Sequence, residues 1–264
     1  MTRDLHRGFR EPRHVPAAEL VGFLEEADRL PDMRAAQKAL RAAINPRPGI
    51  RLLDAGCGVG LETARLAEGH PDMRVTGVDR NAELLEIARH RAPAVEWLEA
   101  DLADLDLAPE SFDAVRTERV LMHVSEDTFE RVVDNLVGVL APGGRLALFE
   151  LDYGATILAP AGADDEVVER VAAMLYASLP QPLAGRRLPG LLTERGLSDV
   201  VARPFPLTPS PPVWRGIVRD TVIAGSPDPA IMDWLEQQTD AAARGDFVAA
   251  FTGVLTSATR PSGE

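Results

Sequence analysis

The residues best placed to do chemistry stand where an acid meets a run of glycines. Residues 52–60 read Leu-Leu-Asp-Ala-Gly-Cys-Gly-Val-Gly. The apolar stretch Ile50 to Leu53 predicts a short buried strand, Asp54 ends it, and Gly56, Gly58 and Gly60 follow at alternate positions around Cys57. Leu61, Ala64, Leu66 and Ala67 then recur at helical spacing. Glycines in a strand-to-helix turn let the backbone bend where Cβ atoms would clash, and they let a ligand lie against the main chain with helix N–H groups aimed at it. Two further apolar runs also end in acids, Val75 to Asp79 and Val95 to Asp101. A carboxylate closing the second strand can accept hydrogen bonds from both hydroxyls of a ribose. Asp101 is suited to an adenine amino group.

The ligand is narrowed by what the turn lacks. A dinucleotide fingerprint, Gly-x-Gly-x-x-Gly, uses its third glycine to pack helix on strand. Here Gly60 comes one residue early and Leu61 occupies that place. No Gly-Lys-Ser/Thr ending marks a phosphate loop. Asp54 would repel a pyrophosphate and suits a ligand with a cationic centre. S-adenosylmethionine (SAM) carries a sulfonium, an ammonium and a carboxylate, the last matched to helix-end amides.

The elements needed to position these residues follow in order. Strands at 50–54, 74–79, 94–99, 111–116 and 144–150 alternate with helices at 60–69, 81–91 and 126–140, a pattern that predicts a parallel sheet covered on both faces. Asn81 is an N-cap residue for the second of these helices. Two helices precede the sheet, over 16–30 and 31–45, ahead of the breakers Pro46 and Pro48. After 150 come a helix near 164–178, another over 185–196, a strand at 199–206, amphipathic segments around 214–223 and 230–243, and a last strand at 251–258. Residues 1–15 form a basic arm holding Arg3, His6, Arg7, Phe9, Arg10, Arg13 and His14.

LLDAGCGVG (52–60), GVDRN (77–81), EAD (99–101), FDAVRTERVLMHV (112–124) and LAPGGRLALFE (140–150) together resemble the class I SAM-dependent methyltransferases, in particular the subfamily like the ubiquinone/menaquinone-biosynthesis enzymes. The resemblance covers 48–152 and, more thinly, 185–200. It implies an α/β, Rossmann-like seven-stranded sheet, mostly parallel, of order 3-2-1-4-5-7-6 with the last strand antiparallel, helices on both faces and helical cap insertions. It implies an N-terminal helical lid over 1–45 and a cofactor-binding core over 46–264, with insertions at about 151–184 and 207–248. It also implies SAM as cofactor and S-adenosylhomocysteine as its product. The expected cofactor residues are Asp54, Gly56, Cys57, Gly58, Gly60, Asp79, Arg80, Ala100, Asp101, Leu102, Arg116 and Glu118. Phe9, Arg119, Met122, Tyr153 and Trp214 are substrate-pocket candidates.

His123 is the candidate base, since it follows the fourth strand, where the transferable methyl is expected. A histidine that only holds the start of the following helix is the competing account, and core packing is the competing account for Trp214. Methyl transfer from a sulfonium needs mainly alignment of nucleophile, carbon and sulfur, and a base helps when the nucleophile is a hydroxyl or an acidic carbon. The acceptor is read as a small organic molecule, with O-, N- and C-methylation open. The rival reading is a SAM-binding protein of this fold that transfers no methyl group.

Composition excludes other classes. A net charge of −13 opposes attraction to nucleic acid and to anionic membranes. After the fourth strand stands Arg116-Thr117-Glu118-Arg119 in place of the Asn/Asp-Pro-Pro-Tyr/Phe of many nucleic-acid amino-methyltransferases. No apolar run approaches the length of a membrane span. One cysteine, Cys57, forms no internal disulfide, and together with a charged N-terminus it leads to the expectation of a cytoplasmic protein. Asp152 alone makes no metal set, so no metal is expected. A monomer or homodimer is expected.

Overall fold

The computed structural model describes residues 4–160 and 165–263; Arg3 and residues 161–164 of the expected insertion lie outside them. Three helices come first: α1 (Leu5–Arg10), α2 (Ala17–Arg29) and α3 (Pro31–Ala43). In α3 the buried residues Met33, Ala36, Gln37 and Leu40 make one stripe, the spacing that puts side chains on one helical face. The alternating core then runs β1 (Arg51–Ala55), α4 (Leu61–Gly69), β2 (Arg74–Asp79), α5 (Ala82–Arg91), β3 (Glu96–Glu99), β4 (Phe112–Glu118), α6 (Glu126–Gly138) and β5 (Leu140–Pro160). The Asn81 side chain accepts from the Glu83 and Leu84 N–H groups, so it caps α5 as its sequence position predicts. Beyond β5 lie α7 (Asp165–Ala177), α8 (Ala184–Glu194) and β6 (Ser198–Leu207). A helical run over 211–224 follows, made of α9 (Pro211–Trp214), a π-turn (Arg215–Arg219) and α10 (Asp220–Ala224). The chain ends in α11 (Pro229–Arg244) and β7 (Phe247–Thr259).

The seven strands are ordered β3-β2-β1-β4-β5-β7-β6. β1 pairs in parallel with β2 and β4, and β4 with β5, while β7 runs antiparallel between β5 and β6. Order and direction are those the resemblance implies. Leu52, Leu53, Ala114, Val115, Leu146, Ala147 and Leu148 are wholly buried in the middle strands, as expected for parallel strands covered on both faces. Pro204 and Pro206 are tolerated in β6 because it is an edge strand, where a missing N–H leaves no ladder bond unmade.

Two segments differ from the sequence expectation. The basic arm contains a helix, α1, capped by Asp4, whose side chain accepts from the Arg7 N–H. β5 continues ten residues past Glu150, because the start of β7 pairs with Ile157–Pro160 beyond a register shift after Asp152. The first part of the expected insertion at 151–184 is therefore a continuation of the sheet. No helix among the described residues is long and apolar enough to cross a membrane.

Candidate functional site

β1, β2, β3 and β4 all end at the same edge of the sheet, and the loops that follow them surround a cavity of about 480 Å³. One flank is built from the ends of β2 and β3. Asp79, Arg80, Ala100, Asp101 and Leu102 line it together with Gly56 and Gly58. The Asp79 carboxylate is tied from both sides, accepting from the Gly58 N–H at 2.8 Å and the Asn81 N–H at 2.9 Å. Burial raises its pKa above the ordinary range, and those N–H groups pull the other way. Asp101 accepts from the Ala103 N–H and lies 3.4 Å from the Arg80 guanidinium. Gly58 has a left-handed φ of +55°, and a Cβ there would meet only Leu24 Cδ1, at 3.5 Å. The glycine turn thus leaves an open cradle beside a fixed carboxylate.

A smaller space of about 70 Å³ adjoins this turn, lined in part by Asp54, Cys57, Arg116, Glu118, Arg119 and Gln37. Arg116 is wholly buried between two carboxylates, 3.2 Å from Asp54 and 2.6 Å from Glu118. Asp54 also accepts from the Thr63 hydroxyl at 2.6 Å, and Glu118 from the Gln37 amide at 3.1 Å. Burial pushes Asp54 up, whereas Glu118 is held low, against its burial, by Arg116 and Arg119. Asp54 therefore shares its one cation, Arg116, with Glu118. Gln37 Oε1 and Arg119 Nε are buried without partners.

The expected residues separate on this geometry. Gly60 lines neither space: a Cβ on it would come within 2.5 Å of the Trp97 ring and 3.0 Å of Ala88, so it is a packing glycine that seats α4 against α5 and β3. Trp214 is also displaced from its expected role. It is buried edge-on against Trp234, with centroids 6.1 Å apart, and the adjacent π-turn presents Ile217 to the cavity instead. Arg119 approaches Glu118, at 3.4 Å.

The other flank carries the remaining candidates. Phe9, Arg119, Met122, His123 and Tyr153 line it, together with His6, Leu5, Phe23 and Ile217. α1 lies across this end and is tied down by Arg10, which donates to the Ser178 carbonyl at 2.9 Å. His123 is half-buried in the cavity wall, and its pKa falls well below 6.5, first through desolvation and then through the neighbouring His6, Arg10, Arg119 and Arg80. His6 belongs to the basic arm of residues 1–15 and is absent from the expected site residues. Its only signal was the placement of Leu5, His6 and Phe9 within one turn-and-a-bit of helix.

Glu150 was likewise passed over, as part of a strand. Its buried carboxylate accepts from the N–H groups of Val120 and Leu121 at 2.9 Å and of Met122 at 3.1 Å, so it holds the 3₁₀ turn that carries His123. Burial pushes this carboxyl up to about 7 despite those donors. Glu150→Gln is expected to cost about 2 kcal/mol or more, since the amide must turn a donor toward a backbone donor. A folded pKa above the unfolded one gives stability that is complete below the ordinary carboxyl range and lost as pH rises through about 7. Denaturant melts across pH should show that decline in the wild type and not in the variant.

A family model described as a methyltransferase domain matches residues 52–144. The chain is 31% identical over 190 residues to O-methyltransferase rstn1 of Aspergillus nomiae, an alignment that covers 68% of this chain and 80% of that protein. It is 36% identical over 145 residues to a trans-aconitate 2-methyltransferase of Paracidovorax citrulli, covering 54% of this chain and 47% of the relative, so it spans less than half of that protein's length. Among solved structures, Haemonchus contortus phosphoethanolamine N-methyltransferase 2 in complex with SAM superimposes with a TM-score of 0.63 at 16% identity, over 97% of this chain and 60% of the other.

Proposed function

Because the chain belongs to the class I SAM-dependent methyltransferases, we propose that it transfers the methyl group of SAM to a small organic acceptor enclosed under α1. The observation that carries this reading is the single cavity with two unlike flanks: fixed carboxylates and bare glycine backbone on one, aromatic and imidazole side chains on the other. The residues present fit the cofactor. Asp79 offers oxygens to the ribose, and Asp101 with Leu102 borders the place of the adenine. The methionine end suits the smaller space, where Asp54, Glu118, Arg116 and the unpaired Gln37 Oε1 offer both signs of charge and a free acceptor. SAM supplies an already activated methyl group. The protein's part is to align, to exclude water and to accept a proton where the nucleophile carries one.

The names of the relatives support methylation of a small molecule, and an oxygen nucleophile in the case of O-methyltransferase rstn1. The test is incubation with labelled SAM and a panel of hydroxyl, amino, thiol and carbon acceptors, followed by analysis for S-adenosylhomocysteine and methylated product. Tight SAM binding with no transfer to any acceptor would favour the rival, non-methylating reading.

Gly58→Val is expected to abolish SAM binding in calorimetry while circular dichroism keeps the sheet signal. A β-branched residue is strained at φ +55° and its side chain enters the cavity. Normal SAM binding by a folded Gly58→Val protein would move the cofactor elsewhere. His123→Ala is expected to lower turnover roughly a hundredfold with SAM affinity retained. A base must be deprotonated to act, so the rate rises with pH through its pKa. With His123 held well below 6.5, the wild-type single-turnover profile should already be level at neutral pH. A step near pH 6.5 to 7 that disappears in His123→Ala would show instead that the ring titrates as if exposed.

A further inference from the structure

The acceptor end of the cavity carries a polar cluster assembled from three distant parts of the chain. His6 comes from α1, His123 from the turn after β4, and Tyr153 from β5. The Tyr153 hydroxyl lies 3.3 Å from His6 Nε2. The His6 and His123 rings are 5.5 Å apart between centroids, tilted by 41°. Phe9 closes on His123 at 5.4 Å and Phe251 on Tyr153 at 5.5 Å, so the cluster is walled by aromatic rings. Nδ1 of His6 and Nδ1 of His123 are each buried with no hydrogen-bond partner. Unpartnered buried nitrogens are costly, and both of these belong to rings that line the cavity.

We propose, building on the methyltransferase reading above, that this cluster receives a hydroxyl group of the acceptor, that His123 takes its proton, and that His6, held by Tyr153, is the second polar contact that selects oxygen over nitrogen or carbon. Among the described residues that α1, the turn after β4 and β5 past Glu150 contribute to the cavity wall, none is a carboxylate. Glu118, at the end of β4, is already engaged by Arg116, Gln37 and Arg119. A protonated amine would find no counter-ion on this flank. Arg10 and Arg119 lie on it and disfavour a cationic acceptor.

Both imidazoles are neutral in this setting. Burial lowers His6 to about 4, with Asp4 opposing and Arg10 adding to the shift, and His123 lies well below 6.5 for the reasons given above. A weak base suffices for an oxygen nucleophile. The oxygen lone pair forms the new O–C bond, the C–S bond breaks with its electrons returning to sulfur, and the hydroxyl proton, made strongly acidic on the alkylated oxygen, passes to the imidazole and afterwards to water. Tyr153 is a positioning residue in this scheme, acting through His6.

Protein carrying ¹⁵N-labelled histidine and saturated with S-adenosylhomocysteine, so that no turnover occurs, is titrated with phenol and separately with its methyl ether, anisole. Phenol is expected to move the ring resonances of both His6 and His123, and anisole to leave them in place. His6→Phe, which keeps an aromatic ring in the cluster, should weaken phenol binding by about fivefold to tenfold, the worth of one hydrogen bond, and narrow the gap between phenol and anisole. Tyr153→Phe should shift the His6 resonances even without phenol, a change that loss of packing elsewhere would not produce. With labelled SAM, phenols should be methylated in preference to matched anilines, thiophenols and benzoates. Ring resonances unmoved by phenol, or methylation of anilines or benzoates ahead of phenols, would overturn the proposal. SAM affinity of the wild type, measured alongside, separates the two readings: no SAM binding removes the cofactor assignment, whereas normal SAM binding with no response to phenol removes only the hydroxyl assignment.

Discussion

Replacing Arg116 by methionine is expected to remove about 3–5 kcal/mol of stability at neutral pH, because it leaves two buried carboxylates facing each other without their shared cation. For a chain of this size that loss lowers the melting temperature by roughly 10 °C. The effect should depend on pH in a defined direction. Without Arg116, Asp54 rises further and Glu118 loses the partner that holds it low. A carboxyl whose folded pKa lies above its unfolded value gives stability that is complete below the unfolded pKa and is lost as pH rises through the folded one. The deficit of Arg116→Met relative to wild type should therefore shrink as pH falls from neutrality toward the ordinary carboxyl range. Arg116→Lys restores the charge without the two-pronged fork and should recover part of the loss. Chemical denaturation at several pH values checks this. A deficit below 1 kcal/mol, or one that grows on acidification, would mean that the Asp54–Arg116–Glu118 bridge does not hold the ends of β1 and β4 together.

Asp79→Ala is expected to weaken SAM binding by about a hundredfold or more. In the function proposed above its oxygens accept two ribose hydroxyls, each such charge-assisted bond being worth roughly 1.5–3 kcal/mol, and a tenfold change in affinity corresponds to about 1.4 kcal/mol. The same substitution frees the Gly58 and Asn81 N–H groups, so the glycine turn loses its anchor to β2 and the cradle loosens with it. Asp79→Asn retains one acceptor oxygen and should fall between the two. Calorimetry with SAM and with S-adenosylhomocysteine should give the same loss for both, since they share the ribose. Unchanged affinity in a folded Asp79→Ala protein would sink the ribose assignment.

The sequence by itself determined the strand-by-strand layout and which acids and glycines gather at one edge of the sheet. Both rest on short-range signals: period-two and period-3.6 apolar spacing, Asn81 ahead of α5, and Asp54, Asp79 and Asp101 each closing a strand. In a parallel sheet all strand ends of one kind lie on one edge, so acids at strand ends are brought together without any knowledge of packing. Order and the antiparallel β7 came from the family resemblance, since nothing local in 247–259 tells which neighbours it takes.

Tertiary structure decided the rest. Gly60 and Gly58 look alike in sequence, yet one abuts Trp97 and Ala88 and the other faces open space, a difference set by residues more than 25 positions away. Trp214 was drawn into the core by Trp234, a partner from another helix. Glu150 became a backbone anchor only because β5 lies beside the turn after β4. His6 reached the cavity only because α1 folds back over the sheet edge, where Arg10 meets Ser178. The titration of His123 followed the same rule: its lowered pKa belongs to burial beneath α1 and to nearby arginines, and desolvation is a property of the folded surroundings that no run of neighbouring residues encodes.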